Sequence, residues 1–459
     1  MEVPSEENQM DSPKKCLRVI LFPVPLQGHI NPLIQLAGIL YSRGFSISII
    51  QFGFNSINPS TYPHFNFHSI LPTLSETDAN TGDVIAFALK LNCCCFSPFR
   101  ECFSNILSDT SKGRIACLIT DAAWYFTQAI ADEYNIRRLA VRTTSICSFL
   151  AFAALPLLRE KGYIPLEESR LEEPIPELTP CKIKDIHMIK SGNFEDIFRY
   201  VTNVVRGNRA SSGLIWNTFE DLERAKIAEF SRESPAPVFP IGPFHKYCLA
   251  SSSSLLEPDK SSLSWLEKQA TNSVIYVSFG SLAVINEKEF QEIGWGLVNS
   301  KQPFLWVVRP GLVPGVQRLD RLLEGFLKVA GERGLVVKWA PQQAVLAHQA
   351  TGGFWTHGGW NSTLESICEG VPMICQPAFG DQRVNTRYVS DVWRVGIHLE
   401  NRIERGEIQR TIRRLMGSEE GEEMRGRIRS LKEKGEACLR PGGASYKSLD
   451  RLTDYISEI

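Results

Sequence analysis

The stretch that most constrains this chain runs from Trp339 to Gln382, and its centre is the step from Gly352 to Ile367. Residues Gly352–His357 read GGFWTH, a short apolar run bounded by glycine, as in a buried parallel strand. Gly358 and Gly359 then supply a tight turn. Asn361 or Ser362 is suited to cap a helix running on through Thr363, Leu364, Glu365, Ser366 and Ile367. A strand, a glycine turn and a capped helix aim free backbone N–H groups and a helix dipole at one point, which makes an anion site fit for a phosphate. Glu365 lies one helical turn further on, where a carboxylate accepts hydrogen bonds from sugar hydroxyls and repels phosphate. Trp339, after the apolar run Leu335–Lys338, offers a flat face for a base. Singly, a tryptophan, a histidine or a glutamate at such places is more often core or surface than ligand. Together they match the base, ribose and phosphate of a nucleotide.

The same strand, turn and helix order recurs in both halves. Leu17–Val24 is a near-continuous apolar run; Pro25–His29 reads as a loop and Pro32–Ser42 as a helix, with proline in its first turn and Gly44 behind its end. Ser46–Phe52, Ile115–Thr120, Leu139–Thr143 and Ser211–Asn217 read as further strands, the last followed by an acidic helix, Glu220–Phe230. Pro235–Ser264, with its prolines and the run Ser251–Ser254, has the composition of an exposed linker. A second unit follows: strand Ser273–Phe279, turn Gly280–Ser281, and helix Glu287–Asn299 with Phe290, Ile293, Gly294 and Leu297 on one face. Ser281, between a strand and a helix, is placed to meet phosphate. The pattern predicts an α/β fold of two doubly wound, Rossmann-like domains whose ligands lie beyond the carboxyl ends of the strands.

Composition excludes several classes. A formal charge of −1 over 459 residues argues against a partner held by basic attraction, such as nucleic acid or an anionic membrane surface. No run of about 20 apolar residues occurs, so no membrane span is expected. Residues 1–15 are polar and acidic, unlike a signal peptide, and read as a flexible tail. The 12 cysteines include Cys93, Cys94 and Cys95 in a row and no C-x-x-C pair, which favours reduced thiols and a cytoplasmic protein. No carboxylate cluster has metal-ligand spacing. The first strand is followed by PVPLQGH and not by G-x-G-x-x-G, which argues against a nicotinamide-dependent oxidoreductase.

Two residues suggest chemistry in the first half. His29 lies in the loop beyond the first strand, and Asp121 ends the strand Ile115–Thr120 at the same edge. A loop histidine is commonly solvated and an aspartate after a strand commonly caps a helix. Placed together, Asp121 can accept the far ring N–H of His29, fix its tautomer and stabilise the imidazolium formed on proton abstraction.

The box from Trp339 to Gln382, WAPQQAVLAHQATGGFWTHGGWNSTLESICEGVPMICQPAFGDQ, resembles the signature box of the plant family-1 UDP-glycosyltransferases. The resemblance extends over essentially the whole chain and implies the two-lobed GT-B fold with the active site between lobes. It implies that Trp339 stacks on uracil, that the Gln342 region meets the base, and that Glu365 holds the ribose hydroxyls. His357, Asn361 and Ser362 are implied to bind the diphosphate; Trp360, Asp381 and Gln382 are implied to contact the transferred sugar, with Gln382 resembling members that use UDP-glucose. Thr143 matches a family position near the sugar and diphosphate. The histidine of the Gly-His-x-Asn-Pro turn, here His29, is the family's general base, and Asp121 its partner. Gly358 departs from the family's usual cysteine, which a turn tolerates. Ser251–Leu256 and the Trp265–Leu266 step resemble one plant subgroup whose members act on small hydroxy acids or on terpenoids.

Arg142 lies near where such relatives line the acceptor pocket, and an arginine there binds a carboxylate bidentately unless a neighbouring acid engages it in a salt bridge. Leu26, Phe149 and Phe379 are the other acceptor-side candidates. The expected domains are a tail (1–15), an acceptor-binding domain (16–244), a linker (245–264), a nucleotide-sugar domain (265–440) and a final helix returning to the first lobe (441–459). The expected activity is that of a hexosyltransferase, monomeric and needing no metal or cofactor. It transfers glucose with inversion from UDP-glucose to a hydroxyl or carboxyl of a small hydroxy acid or phenolic acid. A neutral terpenoid or flavonoid is the alternative acceptor. A non-catalytic nucleotide-sugar sensor would have no use for both His29 and Asp121.

Overall fold

The computed structural model describes residues 17–72, 84–186, 193–247, 256–315, 319–400 and 403–458. The expected N-terminal tail and the serine run of the linker lie outside them. The first lobe is built on β1 (Arg18–Phe22), β2 (Ser46–Phe52), β3 (Asn66–Ile70), β4 (Ile115–Asp121), β5 (Arg138–Arg142), β6 (Gly213–Trp216) and β7 (Val238–Pro240). These form a seven-stranded sheet in the order β3-β2-β1-β4-β5-β6-β7. The second lobe holds β8 (Val274–Ser278), β9 (Phe304–Val307), β10 (Gly334–Val337), β11 (Thr351–Thr356), β12 (Met373–Cys375) and β13 (Gly396–His398). Its six-stranded sheet runs β10-β9-β8-β11-β12-β13. The strand pairs of both sheets are parallel. Helices cover both faces, which is why β1, β4 and β11 are apolar runs without alternation, buried nearly throughout.

Each sheet reverses its winding once, between β1 and β4 and between β8 and β11. Phe22 lies in register with Thr120, and Ser278 with Thr356, so the carboxyl ends at each reversal are level. The loops leaving them diverge to opposite faces and open a crevice where ligands bind in such sheets. The two crevices face each other across the interlobe cleft.

The structure departs from the sequence reading at three points. The first helix is Gln27–Ser42, five residues earlier at its start than the proline suggested, so His29 sits in the helix's first turn and not in a loop. Pro32 is therefore interior. Its missing N–H leaves the Gly28 carbonyl without the usual donor four residues on, and Asn361 Nδ2 from the other lobe takes that place at 2.8 Å. Second, Val238–Pro240 forms β7 beside β6, although its proline-rich surroundings read as the start of a linker. Third, the cap of the helix Trp360–Glu369 is Gly359, and no side chain caps it.

The last helix, Ala444–Ser457, packs on the first lobe: Leu449, Leu452 and Ile456 join the core of Val19, Leu36 and Phe239. The Tyr455 hydroxyl donates to the Ser212 carbonyl at 2.7 Å. A buried ion pair also crosses between the lobes, from Arg387 Nε to Asp185 Oδ2 at 2.9 Å. The described cysteines are free thiols. Among the described residues no helix is long and apolar enough to cross a membrane.

Candidate active site in the interlobe cleft

A cavity of about 390 Å³ separates the two crevices and is lined from both lobes. His29 stands on its first-lobe wall. Its Nδ1 lies 2.6 Å from Asp121 Oδ2, and Thr143 Oγ1 is 3.2 Å from the same nitrogen. Asp121 is 3% exposed behind the ring, its other oxygen accepting from the Ala123 N–H at 2.9 Å. With both carboxylate oxygens accepting, the proton on His29 belongs at Nδ1, and Nε2 carries the free lone pair. Burial alone lowers the basicity of His29, but the charge and hydrogen bond of Asp121, helped by Asp381, outweigh it and raise the pKa above the ordinary histidine value.

Opposite this pair is the anion turn. His357 follows β11, and its ring is sandwiched by two glycines: a Cβ at Gly280 would stand 2.6 Å from its Cε1, and one at Gly359 2.5 Å from its Nε2. Neither position admits a side chain while the imidazole stays. Burial, with the Arg309 charge adding to it, lowers the His357 pKa to about 4. At neutral pH the ring is therefore uncharged, with one N–H to donate. Gly358, at φ +76°, turns the chain so that the helix Trp360–Glu369 begins with its N–H groups toward the cleft, uncapped by any side chain. Ser281 lines the cavity beside them.

The expected base and ribose residues are held by one another. Gln342 Nε2 donates to Glu365 Oε2 at 2.7 Å and to Ser362 Oγ at 2.9 Å, and Gln343 Nε2 donates to Glu365 Oε1 at 3.0 Å. Burial raises the Glu365 pKa, and these amide donors counter it, so a diol arriving here meets a carboxylate already oriented by two amides. Trp339 borders the same end of the cavity.

At the other end stand Thr143, Phe379, Asp381 and Gln382. Gln382 Oε1 accepts from the Ala378 and Phe379 N–H groups at 2.8 and 3.0 Å, which leaves its Nε2 donors for a ligand. The Trp360 ring is 2% exposed and its indole N–H donates to the Asn217 carbonyl at 2.7 Å. What Trp360 can offer the cleft is its backbone N–H in the helix's first turn. Of the acceptor-side candidates, Leu26 and Phe379 line the cavity, while Arg142 and Phe149 are not among its lining residues. The guanidinium of Arg142 stacks 4.2 Å from the Phe149 ring centroid, Nη2 donates to Thr144 Oγ1 at 3.3 Å, and Nε has no partner. No carboxylate pairs with it among the described residues.

Two residues here escaped the sequence reading. Arg309, just past β9, donates to the carbonyls of Gly280 and Ala283 and so shapes the loop carrying Ser281. Asn385 joins Asp381 to the first lobe. An arginine after a strand is a weak signal, and the first-lobe partners of Asn385, Ser145 and Ser148, lie some 240 residues away in sequence.

Comparisons with known proteins identify the family. Residues 87–423 match the family model described as UDP-glucoronosyl and UDP-glucosyl transferase. UDP-glycosyltransferase 76B1 of Arabidopsis thaliana is 51% identical over 438 residues, covering 95% of this chain and 97% of that protein. The flavonol 3-O-glucosyltransferase UGT76E12 of the same plant is 42% identical over 444 residues, covering 95% and 96%. Among solved structures, Phytolacca americana UGT2 complexed with UDP-2fluoro-glucose and pterostilbene superposes with a TM-score of 0.81 at 27% identity, covering 96% of this chain and 100% of that one.

Proposed function

The chain belongs to the UDP-glucoronosyl and UDP-glucosyl transferase family, and on that premise we propose that it transfers glucose from UDP-glucose, with inversion, to a small-molecule acid. The observation that carries the catalytic reading is the His29–Asp121 pair at 2.6 Å, facing the uncapped helix start at Trp360 across one cavity. The first lobe binds the acceptor and the second the donor, with uracil on Trp339, the ribose diol on Glu365, and the diphosphate at Ser281, His357, Asn361 and Ser362. Asp381 and Gln382, with Thr143 and the Trp360 backbone, hold the sugar.

His29 Nε2 removes the acceptor hydroxyl proton as that oxygen bonds to the anomeric carbon. The bond from that carbon to the β-phosphate oxygen breaks, and UDP leaves with the electron pair, its charge met by the helix N-terminus. Asp121 stabilises the imidazolium. One displacement inverts the α-linked donor to a β-linked product. A carboxylate acceptor, already ionised, gives a glucose ester and leaves the base little to do.

Arg142 supports an acid acceptor. It stands behind the cavity wall, 8% exposed, forms no close ion pair among the described residues, and retains its charge at neutral pH although burial lowers its pKa to about 10 against the opposing charges of Asp121 and Asp381. The alternative acceptor class draws support from the relative named a flavonol 3-O-glucosyltransferase and from the pterostilbene complexed with Phytolacca americana UGT2. A mass-spectrometric acceptor screen with UDP-glucose separates them: preference for hydroxy and phenolic acids over neutral terpenols and flavonols of similar size supports the acid reading, and the reverse preference overturns it. The reading includes a monomer acting in the cytoplasm.

A further inference from the structure

We propose that Asn385 is a positioning residue for sugar transfer, coupling the first-lobe helix Ile146–Ala153 to the Asp381 carboxylate. This rests on the reading that Asp381 contacts the transferred sugar. Asn385 is 1% exposed, in the short helix Gln382–Arg387. Its Nδ2 donates to Asp381 Oδ2 at 3.0 Å and to the Gly358 carbonyl at 3.1 Å. Its Oδ1 accepts from the hydroxyls of Ser145 and Ser148, each at 2.8 Å. All four hydrogen-bonding positions of the amide are used. Its orientation is fixed too, since the Asp381 and Gly358 oxygens both require the nitrogen.

The serines are themselves held. Ser145 caps the helix Ile146–Ala153, accepting from the Ser148 N–H. The buried Glu223 carboxylate accepts from the N–H groups of Ile146 and Cys147 at 3.2 and 3.0 Å. A rigid helix start in the acceptor lobe thus dictates where one amide sits in the donor lobe. That amide orients the carboxylate at the sugar, and its other N–H meets the Gly358 carbonyl. A carboxylate held at one rotamer in this way can accept from sugar hydroxyls in a single geometry, which is what in-line displacement requires. Because the linkage crosses the cleft, the sugar-binding carboxylate is correctly placed only when the lobes are docked as they are here.

The test is a double-substitution cycle on the full-length protein. Asn385→Asp keeps the shape and the acceptor for both serines, removes the N–H groups that meet Asp381 and the Gly358 carbonyl, and sets a second carboxyl against Asp381. It is expected to lower kcat/KM for UDP-glucose about tenfold or more while UDP affinity, measured by calorimetry, stays within about threefold. In an Asp381→Asn background the same change is expected to cost less than about twofold, since the group it positions is already altered. Full additivity, an equal loss of UDP affinity, or no loss at all overturns the proposal. If Asp381→Asn alone leaves kcat/KM unchanged, the proposal falls at its premise about the sugar. Failure of the coupling with a large Asp381→Asn effect leaves that premise standing. Ser148→Ala approaches from the other lobe and keeps the result readable if Asn385→Asp folds poorly. It is expected to lower kcat/KM about threefold with UDP affinity unchanged; equal loss of both overturns the coupling.

Discussion

Replacing Asp121 by Asn tests the proposed catalytic pair most directly, because the carboxylate makes two contacts that an amide cannot both reproduce. Oδ2 accepts from His29 and Oδ1 from the Ala123 N–H. Asparagine has one acceptor oxygen. If that oxygen stays with Ala123, the amide N–H₂ faces His29 Nδ1, the ring proton moves to Nε2, and the lone pair that takes the acceptor proton is lost. If the oxygen turns to His29, a buried N–H is stranded at a cost of about 1–3 kcal/mol, and the imidazolium loses its counter-charge. A hydrogen bond to a charged group contributes about 1.5–3 kcal/mol, roughly 10- to 150-fold in rate. With the tautomer effect added, kcat toward alcohol acceptors is expected to fall about 10²- to 10³-fold, within the range general base catalysis supplies. The assay is UDP release at saturating UDP-glucose, with UDP affinity from calorimetry as the control. Loss of less than about threefold, or a matching loss of UDP affinity, refutes the assignment of Asp121 as the orienting partner of His29.

Further expectations concern the same cleft. The rate with alcohol acceptors should rise with pH and level off, because His29 acts only when neutral; its raised pKa sets the acid limb above the ordinary histidine value of about 6.5, and a limb at or below that value contradicts the pair. Trp339→Ala should weaken UDP binding about 5- to 100-fold, as loss of one stacked base does; unchanged affinity in calorimetry excludes stacking there. Arg142→Leu should raise KM for carboxylate acceptors about tenfold and spare neutral alcohols; a uniform effect on both returns Arg142 to a packing role on Phe149. Activity should survive exhaustive chelation with EDTA, and loss restored by a divalent cation would show that a metal takes part.

Much of the fold was legible because parallel strands buried on both faces leave a direct mark. Val19–Phe22 and Gly353–Thr356 are short runs without polar alternation, and each leads within a few residues through a turn into a helix. The start of the first helix was not legible. Proline ordinarily marks a first turn, and what permits Pro32 inside the helix is a donor on Asn361, more than 300 residues away in sequence. The helix cap was missed for a related reason. Asn361 and Ser362 have capping side chains, but Asn361 reaches Gly28 and Ser362 accepts from Gln342, so Gly359 caps by backbone alone.

By itself the sequence determined the α/β architecture, the nucleotide-sugar box and the residue types of the His29–Asp121 pair, because periodicity and local spacing are written along the chain. Tertiary structure alone decided how those residues are held. Glu365 is gripped by Gln342 and Gln343, the Trp360 indole is tied to Asn217, and Asp381 is oriented by Asn385 under two serines of the other lobe. These contacts join groups remote in sequence, and a buried polar group must find its partner wherever packing brings one within about 3 Å.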